Sequence, residues 1–121
     1  SLKIYIGGDS GYDTHYAAIG KKFGEIDLAI LENGQYDEKW KYIHLLPQET
    51  LQAAKDLRAK RLFPVHSSKF VLANHPWDEP LSKLTEFNKA AKMPLVTPVI
   101  GELVYLDDLN QPFRKWWVGL K

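Results

Sequence analysis

The sequence contains no cysteine and one methionine, and it has almost no excess of either charge. Without cysteine, disulfide bridges and thiolate metal sites are excluded, so any metal site must use histidines and carboxylates. Sixteen basic residues against fifteen acidic ones leave a net charge of +1. That balance lacks the basic excess of nucleic-acid-binding domains, and we expect no nucleic-acid partner. No apolar run approaches the length that crosses a membrane.

Strand-like and helix-like segments alternate along the 121 residues, a length typical of one domain. The predicted strands are 2–6, 26–32 and 61–66, with short strands at 95–100 and 102–106. The predicted helices are about 13–23, about 47–61, and a third helix capped by Asp78 with Leu81, Leu84, Phe87 and Ala91 on its inner face. This order predicts an α/β domain in layers.

Polar residues follow each of the first three predicted strands. Because ligands of such sheets gather beyond the carboxyl ends of the strands, these residues are candidates for one site. The strand-end residues are Asp9, Glu32, Asn33 and His66, while His15 and His44 lie on the adjoining segments. Carboxylates and imidazoles without thiolates suit a hydrolytic Zn²⁺, Mn²⁺ or Fe site.

Each of these residues also has a purely structural interpretation. Asp9 suits an Asx-turn or a helix cap, and Glu32 suits a solvated strand end. A single histidine after an apolar strand, such as His66, is more often structural than a ligand. The residues alone therefore indicate an α/β domain with a metal or phosphate site at one edge as the hypothesis to test.

Three segments resemble the C-terminal half of metallo-β-lactamase-fold hydrolases: GGDSGYDTHYAAIGKKFGEIDLAILENGQY, WKYIHLLPQETLQAAKDL and FPVHSSKFVLANHPWDEP. The similarity covers about residues 2–106. It is greatest to the branch that includes N-acyl-phosphatidylethanolamine-hydrolysing phospholipase D. The resemblance implies one αβ half of a four-layer αβ/βα sandwich, with residues 1–121 as the C-terminal half of that domain.

The resemblance also implies roles for individual residues. Asp9 would bridge two divalent ions as the catalytic carboxylate, and His66 would be a terminal ligand of one ion. Zinc is the expected metal, with manganese or iron as alternatives, and a hydroxide between the ions would be the nucleophile. Further residues are expected to contact substrate or to orient the ligands; these are His15, His44, Glu32, Asn33 and Tyr36.

The main metal motif of that family, His-x-His-x-Asp-His, is absent from these residues. We therefore expect the chain to be a C-terminal fragment, or one chain of a cleaved or split protein. We expect it to pair with an N-terminal half of the same protein or with a second copy, and to be inactive alone. The expected substrate is a small-molecule or lipid phosphodiester or a related ester. Many relatives have Trp-Gly after the strand-end histidine, whereas this chain has Ser67 and Ser68, which affects the predicted pocket wall more than the metal role.

A non-catalytic α/β binding module is the alternative hypothesis. The C-terminal stretch FRKWWVGLK places Trp116 and Trp117 among basic residues. These side chains either contact a partner or a membrane surface, or pack the tail onto the fold. We expect a cytoplasmic protein, with peripheral membrane association as the variant of that expectation.

Overall fold

Three short apolar runs form three parallel strands of one sheet in the computed structural model, which describes residues 1–33, 44–67 and 76–119. The elements are β1 (Ile4–Ile6), α1 (His15–Phe23), β2 (Leu28–Glu32), α2 (Pro47–Asp56), β3 (Leu62–Val65) and α3 (Glu79–Ala91). The strands lie side by side in the order β1–β2–β3, and both pairings are parallel. The predicted α/β class is confirmed.

The core lies between the helices and one face of the sheet. On that face Ala29 and Leu31 of β2 and Leu62 of β3 have no exposed surface. They belong to one buried cluster with Tyr16 of α1 and Leu57 at the end of α2. Removing these apolar side chains from water is the main stabilising contribution to the fold.

The opposite face of the sheet is more open at β1. Side chains alternate between the two faces of a strand, so Ile4 and Ile6 lie on the face opposite to Tyr5 and its partner Ala29. Ile4 is 44% exposed and Ile6 is 73% exposed. Parallel sheets are normally covered on both faces, so this apolar surface is available for a further layer.

A close approach between α1 and the end of α2 requires glycine at position 20. A Cβ atom added to Gly20 would lie 2.2 Å from the backbone oxygen of Asp56 and 3.0 Å from Cα of Leu57. Any side chain there would force the two helices apart, since real Cβ contacts are never that short. Gly24 then ends α1 with φ at 75°, as the sequence predicts.

The second helix is shorter than predicted. It ends at Asp56 instead of near residue 61, because Arg58 adopts a left-handed backbone with φ at 58°. The following residues pair with the segment before β2: Ile26 forms a parallel bridge with Ala59 and accepts a hydrogen bond from the backbone N–H of Lys60 at 2.8 Å. Sheet pairing thus replaces the last predicted helical turn.

The prediction of two short strands at 95–100 and 102–106 is wrong, because the structure has no strand in either range. In the first, only Leu95 pairs, through a parallel bridge with Leu62. In the second, the side chain of Gln111 takes the place of a partner strand. Its Oε1 accepts from the N–H of Tyr105 and its Nε2 donates to the carbonyl of Leu103, both at 2.8 Å.

The third helix confirms the predicted burial of Leu81 and Leu84. Two other expectations for it are wrong. Phe87 is 42% exposed instead of facing inward, and Asp78 occupies the N-cap position in a helical backbone conformation without a side-chain capping hydrogen bond. An aspartate in that conformation does not aim its carboxylate at the first free N–H groups of the helix.

The C-terminal segment packs against the fold. Trp117 is 2% exposed and its ring meets that of Trp116 edge to face at 5.6 Å. The buried guanidinium of Arg61 donates from Nη2 to the carbonyls of Tyr105 and Leu106 at 2.9 and 3.1 Å. These contacts favour the packing interpretation of the tail. In the part of the chain that the structure describes, no helix has the length and apolarity to cross a membrane.

Candidate metal centre

Four side chains with metal-ligating atoms meet at the carboxyl edge of the sheet. Asp9 follows β1, Glu32 ends β2, His66 follows β3, and His44 lies three residues before α2. One ligand atom from each of the four lies within 4.8 Å of all the others. We call Asp9, Glu32, His44 and His66 the carboxyl-edge cluster. Parallel strands place their carboxyl ends at one edge, which is why residues far apart in sequence meet here.

Glu32 is the buried member of this cluster, with 2% of its surface exposed. Its Oε1 accepts a hydrogen bond from the backbone N–H of Leu45 at 2.7 Å, and its Oε2 lies 2.7 Å from Nδ1 of His44. Its main-chain oxygen accepts from the hydroxyl of Thr50 at 2.9 Å. Because burying a carboxylate is costly without such partners, the chain around the start of α2 is arranged to hold this charge.

Nδ1 of His44 faces Oε2 of Glu32 at hydrogen-bonding distance. An ionised carboxylate only accepts hydrogen bonds, so opposite an ionised Glu32 the donor is Nδ1. This pairing of an imidazole with a carboxylate is the arrangement that orients metal-ligating histidines in proteins.

His66 leaves β3 in a strained backbone conformation. Its φ is 67°, in the left-handed region that costs an ordinary L-residue about 1–2 kcal/mol. Its Nδ1 lies 3.3 Å from Oε2 of Glu32 and 3.5 Å from Oδ1 of Asp9. The rings of His66 and His44 are 5.7 Å apart between centroids. Strain of this kind persists where the surroundings hold a residue in place, which makes it a feature typical of functional sites.

Two glycines give Asp9 its position. The N–H of Gly7 donates to the carbonyl of Ile30 at 2.9 Å and extends the pairing of β1. A Cβ atom on Gly7 would lie 2.9 Å from Cδ2 of Leu31, a contact that a small shift of that leucine side chain would relieve. Gly8 then turns the chain with φ at 59°, and Asp9 emerges with its side chain 61% exposed.

The other residues predicted for the site have different surroundings. Nε2 of His15 lies 3.3 Å from Oγ of Ser10, and the ring packs on Tyr16, so His15 lies outside the carboxyl-edge cluster. Asn33 is fully buried, and its Nδ2 donates to the carbonyl of Pro80 at 2.8 Å. That bond connects the end of β2 to the start of α3. Tyr36 lies outside the described residues.

The carboxyl-edge cluster fits a divalent ion by its chemistry. Two carboxylates and two imidazoles are ligands that suit zinc, manganese or iron. Glu32 also brings a negative charge into a region of low exposure, where a nearby cation lowers the free energy of the ionised form. The residues that could hold a metal are therefore the four of the carboxyl-edge cluster.

An apolar groove beside His66 was not predicted from the sequence. The groove has a volume of about 640 Å³ and runs between β3 and residues 97–100. Trp116 forms part of its wall, although the sequence offered only a packing or surface role for that residue. The available signal was a proline within β3, Pro64, and another at Pro98 in the segment that faces it.

Comparison with known proteins identifies relatives of this arrangement. A model of the beta-lactamase superfamily domain matches residues 1–67. Outer membrane protein RomA of Klebsiella pneumoniae is 61% identical over 67 residues, which are 55% of this chain and 51% of RomA. N-acyl-phosphatidylethanolamine-hydrolyzing phospholipase D 1 of Caenorhabditis elegans is 30% identical over 114 residues, which are 88% of this chain and 32% of that protein. The chain therefore spans about a third to a half of the length of these curated relatives.

A solved structure with the same fold is that of Igni18, a metallo hydrolase from the archaeon Ignicoccus hospitalis. It superposes with a TM-score of 0.59 at 22% identity, covering 83% of this chain and 40% of Igni18. The shared elements are three parallel strands and three helices. The expected fold, one part of the metallo-β-lactamase sandwich, is confirmed.

Proposed function

Because the chain belongs to the metallo-β-lactamase superfamily, we propose that it supplies one part of the active site of a metal-dependent hydrolase. The observation that carries this proposal is the carboxyl-edge cluster, whose four donor atoms lie within 4.8 Å of one another. The cluster occupies the edge of a parallel sheet where ligands of such folds bind.

In this proposal Asp9 and His66 would be the metal ligands. They would hold two divalent ions, zinc first, with manganese or iron as alternatives. A divalent ion held here would lower the pKa of a neighbouring water and polarise the bond to be cleaved. Asp9 suits this role because it is the exposed carboxylate of the cluster, while the oxygens of Glu32 are already engaged.

Glu32 and His44 act as positioning residues. The carboxylate of Glu32 accepts a hydrogen bond from the backbone N–H of Leu45 and pairs with the imidazole of His44. Its Oε2 also lies 3.3 Å from Nδ1 of His66. Its carboxylate thereby holds the imidazoles in one orientation and adds negative charge next to the cation. His15, Asn33 and Tyr36 stay predictions as residues that contact substrate or support the ligands.

We infer that the substrate is a small-molecule or lipid phosphodiester or a related ester. Support comes from the similarity to the phospholipase D of C. elegans and, for hydrolysis in general, from the fold shared with Igni18. The proposed location is the cytoplasm, with peripheral membrane association as the variant. The exposed face at Ile4 and Ile6 supports pairing with an N-terminal half of the same protein, and pairing with a second copy is the competing outcome.

The test compares the intact protein with residues 1–121 alone. Both are supplied with Zn²⁺ or Mn²⁺ and assayed with bis(4-nitrophenyl) phosphate and 4-nitrophenyl acetate, and circular dichroism checks that each is folded. We expect chelator-sensitive hydrolysis by the intact protein and none by the isolated chain, since two ligands are too few for a catalytic zinc site. Activity that survives metal removal would refute the proposed function. Equal activity of the isolated chain would refute the need for an N-terminal half.

A further inference from the structure

A second pocket lies between the C-terminal half of α3 and the C-terminal segment of the chain. It has a volume of about 290 Å³. We call it the α3–tail pocket, and its lining includes Lys89, Leu95, Thr97, Phe113, Lys115 and Trp117. None of the four residues of the carboxyl-edge cluster lines it, so this pocket is separate from the candidate metal centre.

The pocket lies on the side of the sheet that the helices cover. Leu84 of α3 belongs to the buried cluster beneath the helices, and Leu95 packs against the same cluster. The exposed apolar surface at Ile4 and Ile6, where a further layer is expected, is on the opposite face of the sheet. A layer that covers that face therefore leaves the α3–tail pocket accessible.

Hydrogen bonds hold the α3 wall of the pocket in place. The side-chain amide of Asn88 donates to the carbonyl of Met93 and accepts from its N–H, both at 2.8 Å. The hydroxyl of Thr85 donates to the carbonyl of Leu81 at 2.7 Å. Asn88 thereby ties the end of α3 to the segment that continues to Leu95. Because the wall is already ordered, a ligand loses little affinity in ordering it.

The charge in the pocket is of one sign. Lys89 and Lys115 line it, and no Asp or Glu is among the described residues that do so. Lys89 is in the last turn of α3, where the helix dipole favours a cation. Neither lysine forms an ion pair within the part of the chain that the structure describes. Two ammonium groups without a counter-charge produce a positive potential in a cleft, which attracts anions.

Thr97 adds a buried hydroxyl next to these ammonium groups. The residue is 8% exposed, and its hydroxyl makes no hydrogen bond to another group among the described residues. Polar groups this deeply buried normally have a partner. A hydroxyl can donate to an anionic oxygen, so a bound anion would satisfy it. Phe113 and Trp117 add aromatic surface to the same pocket.

We propose that the α3–tail pocket binds a small organic phosphate. Lys89, Lys115 and the hydroxyl of Thr97 bind its phosphate group, whose oxygens form strong hydrogen bonds with charged donors. Its apolar part contacts Phe113 and Trp117. The volume is at the lower end of the range for small-molecule sites, which selects a ligand about the size of a phosphorylated ring. The proposal does not depend on hydrolysis, because the candidate metal centre is elsewhere.

The experiment measures binding to the intact protein by isothermal titration calorimetry, with phenyl phosphate, inorganic phosphate and phenol as probes. We expect phenyl phosphate to bind more tightly than either of the others, since each of them lacks one of the two groups that the pocket recognises. Its affinity should fall as the salt concentration rises, because salt screens the lysine charges. Asp9→Asn, which alters the candidate metal centre, should retain this binding.

The variants separate the roles of the lining residues. Lys89→Met combined with Lys115→Met should weaken phenyl phosphate binding by about tenfold, as expected for the loss of two exposed charge contacts. Lys83→Met, at an exposed lysine of α3 outside the pocket, is the matched control and should bind as the wild type does. Thr97→Val keeps the shape and removes the hydroxyl. It should weaken binding without lowering the free energy of unfolding, because the fold loses no hydrogen bond.

Two results overturn the pocket as a phosphate site. One is an equal affinity for phenyl phosphate in the wild type and the double lysine variant. The other is binding that is lost in Asp9→Asn and kept in the double lysine variant, which would assign the ligand to the metal centre. Binding to vesicles that contain phosphatidic acid, with none to phenyl phosphate, would identify a lipid headgroup and overturn the small-molecule assignment. None of these results depends on whether the protein hydrolyses any substrate, so failure of the proposed function is recognised separately.

Discussion

The interior beneath the helices is made of apolar side chains in close contact, whereas the carboxyl edge of the same sheet holds two carboxylates and two imidazoles. Leu31 and Glu32 are consecutive residues of β2 and both are buried, yet the first contacts the core and the second binds His44. The interior contributes stability through burial. The edge instead carries a buried charge and a strained backbone at His66.

This contrast indicates that the interior serves stability, whereas the carboxyl edge serves ligand binding. Residues of the interior follow local rules of propensity and packing, and substitutions there should reduce the free energy of unfolding. Residues of the carboxyl edge depart from these rules where the strands end, which is typical of sites that bind ligands. Substitutions there should reduce metal binding and hydrolysis more than stability.

The largest effect is expected from Asp9→Asn. The amide removes the negative charge and one potential ligand oxygen from the exposed carboxylate of the carboxyl-edge cluster. In the intact protein we expect loss of bound metal and of hydrolysis, by more than the 10- to 100-fold that follows loss of a supporting residue. Metal content by mass spectrometry and activity measure this. Asp13→Asn, an exposed carboxylate on the same loop, is the control and should retain both.

Glu32→Gln is expected to reduce metal affinity by about 10- to 100-fold. Its amide presents an N–H₂ group to one of the two donors that Glu32 now binds, so either Leu45 or His44 loses its acceptor. An unpaired buried group also lowers the free energy of unfolding by about 1–3 kcal/mol. Competition with a chelator measures the affinity, and Glu86→Gln on the exposed side of α3 should match the wild type. An unchanged affinity in Glu32→Gln contradicts its positioning role.

Gly20→Ala tests the interior. The new Cβ would meet the backbone oxygen of Asp56 at 2.2 Å, so α1 and α2 must move apart. We expect a loss of about 1–3 kcal/mol in the free energy of unfolding, despite the gain of up to about 1 kcal/mol in helix propensity. Urea unfolding measures this, and the metal affinity of the folded protein should stay near the wild-type value. Ala17→Gly, on the exposed side of α1, isolates the propensity contribution; a stabilised Gly20→Ala would show that the helices are not in contact as described.

The smallest effect concerns Tyr12 and high pH. The hydroxyl of Tyr12 donates to Oδ2 of Asp56 at 2.5 Å, and this bond to a carboxylate raises the pKa of Tyr12 from 10.0 to about 12. The folded state therefore holds the phenol proton more tightly than the unfolded state. The resulting stability is present below pH 10 and is lost as the pH rises from 10 to 12.

Tyr12→Phe should accordingly be less stable than the wild type below pH 10, with a shallower decline between pH 10 and 12. Tyr105→Phe, at an exposed tyrosine, is the control and should follow the wild-type curve. Urea unfolding at pH 8, 10 and 12 measures the difference. Equal slopes for the wild type and Tyr12→Phe would contradict the bond to Asp56.

Much of this fold can be predicted from the sequence, because β1 to β3 and the helices between them have clear apolar periodicity. Prediction fails where a single backbone feature overrides the pattern. The left-handed Arg58 ends α2 early, and Pro64 stops the pairing that would have made a strand near residue 97. Neither effect alters the apolar pattern that the strand and helix predictions depend on.

Positions in the candidate site were predictable to the extent that they are strand ends. His66 follows β3 directly and Asp9 follows β1 after two glycines, so the topology brings both to one edge. The function of Glu32 depends instead on the backbone N–H of Leu45 and on His44, which come from a segment after an intervening loop. Sequence periodicity does not report how such a segment returns to the sheet, and the groove beside His66 was missed for the same reason.

The most direct test of the metal centre is anomalous diffraction at the zinc absorption edge from crystals of the intact protein grown with Zn²⁺. The account predicts an anomalous peak about 2.0–2.2 Å from a carboxylate oxygen of Asp9 and from an imidazole nitrogen of His66. Zinc bound elsewhere in the protein, with Asp9 and His66 both outside its ligand shell, would contradict the account.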